Sequence, residues 1–128
     1  MEPHDWFTCC INQARRIVAA IDLDGLPSMR IDRPEFAESL PRVTAVYFIF
    51  GKGKKPLYIG RATNLMQRWS LTTFAGSRTP DADHHRLEAA LELGNATLRW
   101  LEVPSDELGI TEMLLIQAYK PKWNKQRS

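Results

Sequence analysis

The sequence of 128 residues predicts a single α+β domain: a small three-stranded antiparallel sheet flanked by helices, with a helical extension before it. Two runs rich in β-branched and aromatic residues, 43–50 and 57–60, flank a segment of turn residues, and a third such run covers 96–103. Segments with apolar residues three and four positions apart lie between and after these runs. That combination is typical of helices packed on a sheet.

Residues 1–41 are predicted to form the N-terminal helical extension. Apolar side chains within residues 5–23 recur at spacings of three and four, which predicts an amphipathic helix that ends at Gly25. A short second helix is expected over 33–41, because Pro34 suits its first turn. The extension has seven acidic and four basic residues, a balance that disfavours direct contact with phosphates.

From residue 42 the pattern is that of a sheet with helices. The turn segment GKGKKP predicts a β-hairpin formed by the first two runs. Thr63 is expected to cap a helix over about 64–73. After a loop, Asp81 opens a helix that Gly94 ends.

The last two predicted elements are the strand over 96–103 and a helix capped by Ser105. Pro121 is expected to stop this helix. The predicted order after residue 42 is therefore β-β-α-α-β-α.

The formal net charge of +2 conceals segments of opposite charge. Residues 41–80 have seven basic residues and no acidic residue, whereas residues 81–118 have two arginines against eight acidic residues. The last ten residues add four basic side chains. Positive charge on the hairpin and the C-terminal tail would form a phosphate-binding surface if the fold brings them together; unrelated solvated lysines are the alternative.

Composition argues against several classes of protein. No run approaches the roughly 18 consecutive apolar residues of a transmembrane helix, and the N-terminus lacks the basic residues of a signal peptide. A cytoplasmic protein without a membrane partner is therefore expected. The two cysteines, Cys9 and Cys10, are adjacent, which favours reduced thiols. Without a CxxC pair, a structural zinc site is not expected.

Glu112 is the most informative single residue. On the last predicted helix it shares a face with Leu108 and Leu115, which should point at the sheet. A buried carboxylate is costly unless an arginine, a metal ion or a tyrosine pairs with it. From the helical pattern alone, a structural ion pair with Arg68 or Arg61, or an exposed position at the rim, stays open.

Two tyrosines and two arginines also stand out. Tyr47 and Tyr58 lie on the two arms of the hairpin, where aromatic packing in the core would explain them equally well. Arg61 and Arg68 could both point at a phosphate or at Glu112. The tail WNKQR places an aromatic ring among basic residues, which suits a nucleic-acid contact or a solvated end.

Five ordered motifs identify a family. They are the tripeptides Ala45-Val46-Tyr47 and Tyr58-Ile59-Gly60, the pair Asn64-Leu65 followed by Arg68, Glu112 on a later helix, and the closing PKWN pattern that ends in Asn124. With these motifs in order and in matching secondary structure, residues 44–124 resemble the GIY-YIG nuclease superfamily. Residues 1–41 lie outside the resemblance.

Two positions depart from the family pattern. Ala45 replaces the first glycine of the GIY tripeptide and is the smallest replacement available. Arg61 directly follows YIG, where many members have lysine. Because arginine stays charged and cannot act as a base, Arg61 could only stabilise charge or bind phosphate.

The resemblance implies a GIY-YIG-like catalytic domain over residues 42–128 and a metal-dependent endonuclease that hydrolyses phosphodiester bonds in DNA. The catalytic residues that it implies are Tyr47, Tyr58, Arg61, Arg68 and Glu112, supported by Asn64 and Asn124. The basic residues expected to contact DNA are Lys52, Lys54, Lys55, Arg78, Lys122 and Lys125.

The resemblance also implies a role for each catalytic residue. Tyr47 would accept or relay the proton of the attacking water; a free tyrosine has a pKa near 10, so a cation such as Arg61 must favour the phenolate. Arg68 would bind a nonbridging phosphate oxygen, and Tyr58 would orient a water or a phosphate oxygen. Glu112 would be the sole carboxylate ligand of one Mg²⁺ or Mn²⁺ ion, which would act as a Lewis acid toward the leaving oxygen.

Two other functions compete with this one. A catalytically silent nucleic-acid-binding module of the same fold is favoured by Arg61. A protein-interaction domain whose N-terminal helix dimerises is the third, although packing of that helix on the domain's own sheet is preferred. The matching region is close to a minimal catalytic core, so DNA specificity is expected to be weak or to come from a protein partner or a homodimer.

Overall fold

A computed structural model describes residues 12, 15, 16, 18–70 and 82–127 of the chain. The strands within these residues are β1 (Ser28–Arg30), β2 (Ala45–Phe50), β3 (Tyr58–Ala62) and β4 (Thr97–Glu102). The helices are α1 (Leu65–Trp69), α2 (Ala82–Leu93) and α3 (Leu108–Tyr119), with 3₁₀ helices at Leu23–Gly25, Pro34–Ser39 and Lys122–Arg127. Residues 12, 15, 16 and 18–20 are also helical.

The strands form one antiparallel sheet in the order β1-β4-β2-β3. The hairpin of β2 and β3 places Tyr47 opposite Gly60 and Ile49 opposite Tyr58. On its other side, β2 pairs with β4, where Tyr47 is opposite Trp100. The predicted α+β class and antiparallel sheet are confirmed, and the described elements after residue 42 follow the predicted order.

The described part of the chain has a sheet of four strands where the sequence predicted three. The additional strand, β1, pairs with β4, with Met29 opposite Leu98. A strand of three residues is too short to show the alternation of apolar and polar side chains that reveals longer strands, so the sequence pattern missed it.

Residues 28–40 contribute to the same sheet and core as the residues that follow. The predicted second helix is the 3₁₀ helix Pro34–Ser39, with Pro34 in its first turn. From this helix Phe36 is buried against Trp69 of α1, with 6.1 Å between ring centroids. The division of the chain at residue 41 stays a prediction.

Alternation along β2 creates two apolar layers, one on each face of the sheet. Tyr47 and Ile49 point to the face that packs on α1 and α2, whereas Val46 and Phe48 point to the face that packs on α3. Val18 and Ile21 pack in the second layer, together with Leu108 and Leu115 of α3. The described part of the N-terminal helix therefore packs on the domain's own sheet, as the sequence favoured.

The start of α1 is fixed by the segment before β2. Asn64, rather than the predicted Thr63, is the cap, and its Oδ1 accepts a hydrogen bond from the Gln67 N–H at 3.1 Å. Both residue types are good caps, so the sequence does not distinguish neighbours one position apart. The Leu65 N–H donates to the Val43 carbonyl at 2.9 Å. Residues 71–73 of the predicted helix lie outside the described part.

The last helix starts later than predicted. Residues 105–107 form a turn, and α3 begins at Leu108 instead of after a Ser105 cap. Its end is as predicted, because Lys120 takes the left-handed conformation (φ 47°) just before Pro121. Within the residues that the structure describes, no helix is long and apolar enough to cross a membrane.

Gly60 lies directly against the ring of Tyr47. A β-carbon at Gly60 would be 2.6 Å from the Tyr47 hydroxyl oxygen. The ring cannot easily move away, because Trp69 packs edge-on against it at 5.3 Å and Tyr58 lies at 6.1 Å between centroids. The absence of a side chain at Gly60 therefore lets the phenol of Tyr47 lie against the backbone of β3.

Replacing Gly60 with alanine is expected to lower the free energy of unfolding by about 1–3 kcal/mol, because the new methyl group overlaps a ring that its neighbours hold in place. Urea denaturation measures this change. Gly53→Ala is the matched control: no atom lies within 4 Å of the added carbon, so a change within about 1 kcal/mol is expected. Equal losses in both variants would show that the contact at Gly60 is not restrictive.

Candidate active site

An open cleft of about 720 Å³ lies along β3. Every residue that the sequence placed in a catalytic or supporting role lines it: Tyr47, Tyr58, Arg61, Asn64, Arg68, Glu112 and Asn124. The structure therefore brings together side chains from β2, β3, α1, α3 and the C-terminal 3₁₀ helix.

The cleft extends around the edge of the sheet. Tyr47 and Tyr58 lie in the layer between the sheet and helices α1 and α2. Arg61 alternates to the other face, where Glu112 of α3 lies. In the described part of the chain β3 is an edge strand, so groups from both faces meet across it.

Asn124 bonds to the exposed backbone of this edge strand. Its Oδ1 accepts a hydrogen bond from the Ile59 N–H at 2.9 Å, and its Nδ2 donates to the Ile59 carbonyl at 2.9 Å. The Trp123 N–H donates to the Leu57 carbonyl at 2.8 Å. An asparagine amide carries both an acceptor and a donor, so Asn124 takes the place of a residue on a neighbouring strand. It fixes β3 between the two site residues Tyr58 and Arg61.

Glu112 is the sole acidic side chain lining the cleft among the described residues. Its side chain is 21% exposed, and its Oε1 lies 3.8 Å from Nε of Arg61. At this distance the two groups form an ion pair, but they are too far apart for a hydrogen bond. The ion pair with Arg61, one of the options that the sequence left open, is thus present.

Gly109 makes room for the guanidinium of Arg61. It lies on α3 three residues before Glu112, and a β-carbon there would be 2.6 Å from Nη1 of Arg61. Arg61 is therefore held between Gly109 and Glu112, on the face of α3 that meets β3. No sequence motif or pattern pointed to Gly109.

Arg68 reaches the cleft from the last turn of α1. The helix is held in place by Leu65 and Trp69, which are both fully buried. Arg68 itself is exposed. A cation displayed on a well-packed helix suits the binding of an anionic group from solvent.

The residues present fit a metal ion that needs a single protein carboxylate. Among the described residues no three His, Cys, Asp or Glu side chains come together, so a site with several protein ligands is not found there. Mg²⁺ keeps several of its waters and binds through one or two carboxylates plus phosphate oxygens. Glu112, partly exposed at the wall of the cleft, is the residue that could hold such an ion.

The predicted DNA-contacting residues lie in different places. Lys52, Lys54 and Lys55 are exposed and line a separate cavity at the hairpin turn, outside the cleft. Lys122 is exposed, two residues from Asn124. The remaining two predictions concern parts that the structure does not cover, namely Arg78 and the side chain of Lys125.

Arg86 belongs to the cleft although no sequence motif predicted it there. This residue of α2 lines the cleft, with its Cζ 4.0 Å from the centroid of the Tyr58 ring. A weak indication was available in the sequence: Arg86 is one of only two arginines in the acidic segment 81–118, four residues before the apolar Ala90.

Known proteins share this architecture. No protein-family model matches the sequence. UvrABC system protein C of Aquifex aeolicus (strain VF5) is 32% identical over 88 residues, which are 68% of this chain and 14% of that protein. The GIY-YIG N-terminal endonuclease domain of UvrC from Thermotoga maritima, a point mutant bound to its catalytic divalent cation, matches with 28% identity and a TM-score of 0.52. That match covers 70% of this chain and 91% of the other.

The chain belongs to the GIY-YIG nuclease superfamily. The same domain with bound magnesium matches over 88% of this chain and 96% of the other, at a TM-score of 0.50 and 24% identity, which supports the GIY-YIG fold. The family resemblance inferred from the five motifs is thus confirmed. This GIY-YIG chain spans about 14% of the length of the curated relative that it matches.

Asn124→Asp is expected to lower the free energy of unfolding by about 1–3 kcal/mol. A carboxylate keeps the acceptor for the Ile59 N–H but loses the donor and places negative charge against the Ile59 carbonyl. Chemical denaturation at neutral pH measures the change.

The matched control is Asn64→Asp, because Asn64 only accepts a hydrogen bond at a helix N-terminus and aspartate caps as well as asparagine. This control should stay within about 0.5 kcal/mol of the wild type. If Asn124→Asp is equally harmless, the double hydrogen bond to β3 is not what holds the C-terminal segment.

Proposed function

We propose that this GIY-YIG chain is a divalent-metal-dependent endonuclease that hydrolyses phosphodiester bonds in DNA. The observation that supports it most is the convergence of Tyr47, Arg61, Arg68 and Glu112 in one open cleft at the edge of β3. The similar UvrC domain is an endonuclease domain bound to its catalytic divalent cation, which is further support.

The charge of the cleft suits a polyanionic substrate. Arg61, Arg68 and Arg86 line it, against the single carboxylate of Glu112 among the described residues. Guanidinium groups bind phosphate oxygens through paired N–H donors and remain charged at any physiological pH. A nucleic-acid backbone would therefore be drawn into the cleft and oriented there.

Tyr47 is the candidate acceptor for the proton of the attacking water. Its ring is held by Trp69 and by the backbone of Gly60, so its hydroxyl has one defined position beside β3. As a phenolate, Tyr47 would take the proton while the water oxygen bonds to phosphorus and the bond from phosphorus to the leaving 3′ oxygen breaks. Tyr58, whose ring centroid lies 6.1 Å from that of Tyr47, would orient the water or a phosphate oxygen.

Arg68 and Arg61 would stabilise the negative charge that develops on the phosphate. Arg68 is placed by α1, whose start is capped by Asn64, and its donors would bind a nonbridging oxygen. Arg61 is held against α3 by Gly109 and Glu112. Because it cannot lose its proton, its contribution would be charge alone.

Glu112 would hold one Mg²⁺ or Mn²⁺ ion. When bound, such an ion supplies Lewis-acid stabilisation of the leaving oxygen. Arg61, whose Nε lies 3.8 Å from Oε1 of Glu112, offsets part of the charge of this carboxylate. Water and phosphate oxygens would supply the ion's other ligands, as Mg²⁺ prefers.

Exposed lysines outside the cleft would contact DNA beyond the reacting phosphate. Lys52, Lys54 and Lys55 cluster at the hairpin turn, and Lys122 lies near Asn124. Contacts of this kind add affinity without sequence information. A protein partner or a second copy of the chain would supply specificity.

One observation favours a second candidate, a catalytically silent nucleic-acid-binding module. Arg61 occupies the position of the family's common lysine and already pairs with Glu112 at 3.8 Å. In such a module the carboxylate would pair with Arg61 and would hold no metal ion. DNA binding that persists in EDTA, without cleavage in any divalent metal, would select this candidate.

Purified protein is expected to nick or cut supercoiled plasmid DNA with Mg²⁺ or Mn²⁺ and to lose this activity in EDTA. Glu112→Gln and Arg68→Ala should each reduce the rate by at least about 10²-fold, since each removes a group that stabilises charge in the transition state. Circular dichroism would check that both variants remain folded.

The control is Glu102→Gln, which removes an exposed carboxylate on β4 outside the cleft; this variant should cleave like the wild type. It undergoes the same purification and carries the same change in charge as Glu112→Gln. Equal cleavage by all four proteins would indicate a contaminating nuclease and contradict the assigned roles.

Gly109→Ala is expected to lower the cleavage rate without lowering the stability of the fold. Alanine is a better helix residue by about 0.5–1 kcal/mol, so the unfolding midpoint should stay equal or rise. The new methyl group displaces the guanidinium of Arg61, so the cleavage rate should fall at least about tenfold. Adding Arg61→Lys, which lacks the overlapping Nη1 atom, should recover part of the loss. Wild-type cleavage by Gly109→Ala would show that the position of Arg61 does not matter.

A further inference from the structure

Arg86 lines the cleft but takes no part in the hydrolysis described above. Its Cζ lies 4.0 Å from the centroid of the Tyr58 ring, which is a cation–π stack. The helix that carries it is fixed by Leu87 and Ala90, which are both buried against the sheet. The guanidinium is therefore held by the ring below it and by the helix behind it.

Stacking determines how this guanidinium can bind. Its N–H donors lie in the plane of the group, and its Cζ lies over the face of the Tyr58 ring. Arg86 also lines the open cleft. A planar set of donors at the wall of an open cleft matches the oxygens of a phosphate group.

A second stacked arginine shows that stacking alone is not enough. Arg99 lies over the ring of Phe50 at 4.2 Å, almost the same distance. Its Nη1 donates to the Leu23 carbonyl at 2.8 Å and to Asp24 Oδ1 at 3.2 Å, and it does not line the cleft. Arg99 thus ties the N-terminal segment to the sheet, whereas Arg86 borders space that a substrate can enter.

Arg86 lies over the start of β3, at Tyr58, whereas the proposed metal ligand Glu112 lies beside Arg61, farther along the strand. Tyr58, over which it stacks, is three residues from Arg61, a distance of about 10 Å along a strand. Successive phosphates of one DNA strand are separated by 3.4 Å of rise along the duplex axis, so two points about 10 Å apart face different phosphates. A backbone running along β3 would present a different phosphate to Arg86 than to Arg61 and Glu112.

We propose that Arg86, stacked on Tyr58, forms a second phosphate-binding subsite that holds a backbone phosphate flanking the scissile one. The inference rests on the proposed function, because it assumes that a nucleic-acid backbone occupies the cleft. This subsite would contribute to the affinity for the substrate and to its register in the cleft, whereas other residues contact the reacting atoms.

The test measures DNA binding against salt concentration in EDTA, where no cleavage occurs. The probe is a fluorescein-labelled 20-base-pair duplex, followed by fluorescence anisotropy from 50 to 200 mM NaCl. Loss of one phosphate contact reduces the slope of log K against log salt by about 0.9. Between 50 and 200 mM NaCl, the factor by which affinity falls should therefore be about 3.5 times smaller for Arg86→Met than for the wild type. Arg86→Lys, which keeps the charge, should retain the wild-type slope.

Arg99→Met is the matched control, since it removes the same charge from the same kind of stack outside the cleft. It should keep the wild-type slope. A wild-type slope for Arg86→Met, or an equal reduction in Arg99→Met, would overturn the subsite. If the unfolding midpoint shows that Arg86→Met is not folded, Arg86→Gln takes its place in the same comparison.

A kinetic measurement distinguishes failure of the subsite from failure of the proposed function. With Mg²⁺, Arg86→Met should raise KM several-fold with a smaller change in kcat, because it removes binding that is equal in the ground and transition states. If cleavage depends on Glu112 while Arg86→Met has wild-type KM and salt slope, the subsite alone is wrong. If no protein-dependent cleavage occurs but the slope changes, Arg86 binds phosphate in a non-catalytic module.

Discussion

The contact between the ring of Tyr47 and the backbone of Gly60 is the constraint on which the rest of the site depends. It joins two central features of the fold: the pairing of β2 with β3 and the aromatic layer that includes Trp69. A side chain at Gly60 would leave no room for the phenol. Because the strands hold both residues in register, the position of the Tyr47 hydroxyl follows from the sheet and not from a mobile loop.

From that contact, the cleft is assembled around an edge strand. β3 presents Tyr58 on one face and Arg61 on the other, so a site built on it can use helices from both layers of the domain. An edge strand has unpaired backbone groups, and the amide of Asn124 bonds to both of those on Ile59. The asparagine thereby stabilises the strand without covering the cleft, which a further strand would do.

The parts of the molecule that sequence could predict are those with a repeating pattern or a family motif. Two runs of β-branched and aromatic residues around a turn segment indicated the hairpin, and the motifs pointed to Tyr47, Tyr58, Arg68 and Glu112, which the structure places in one cleft. What sequence missed depends on contacts between distant segments. β1 is three residues long and is recognisable only through its pairing with β4. Arg86 belongs to the cleft because α2 lies over Tyr58, and Gly109 matters because Arg61 lies across it. Neither contact can be predicted from the spacing of residues within one segment of the sequence.

The central claim is that Glu112 holds a divalent ion in the cleft beside Tyr47 and Arg61. Anomalous diffraction from crystals soaked in Mn²⁺ tests it most directly, because it locates the ion without relying on activity. The account predicts one strong peak about 2.1 Å from a carboxylate oxygen of Glu112, and none at this place in Glu112→Gln crystals. A peak at other acidic residues with none at Glu112, in crystals whose cleft is open to solvent, would contradict the account.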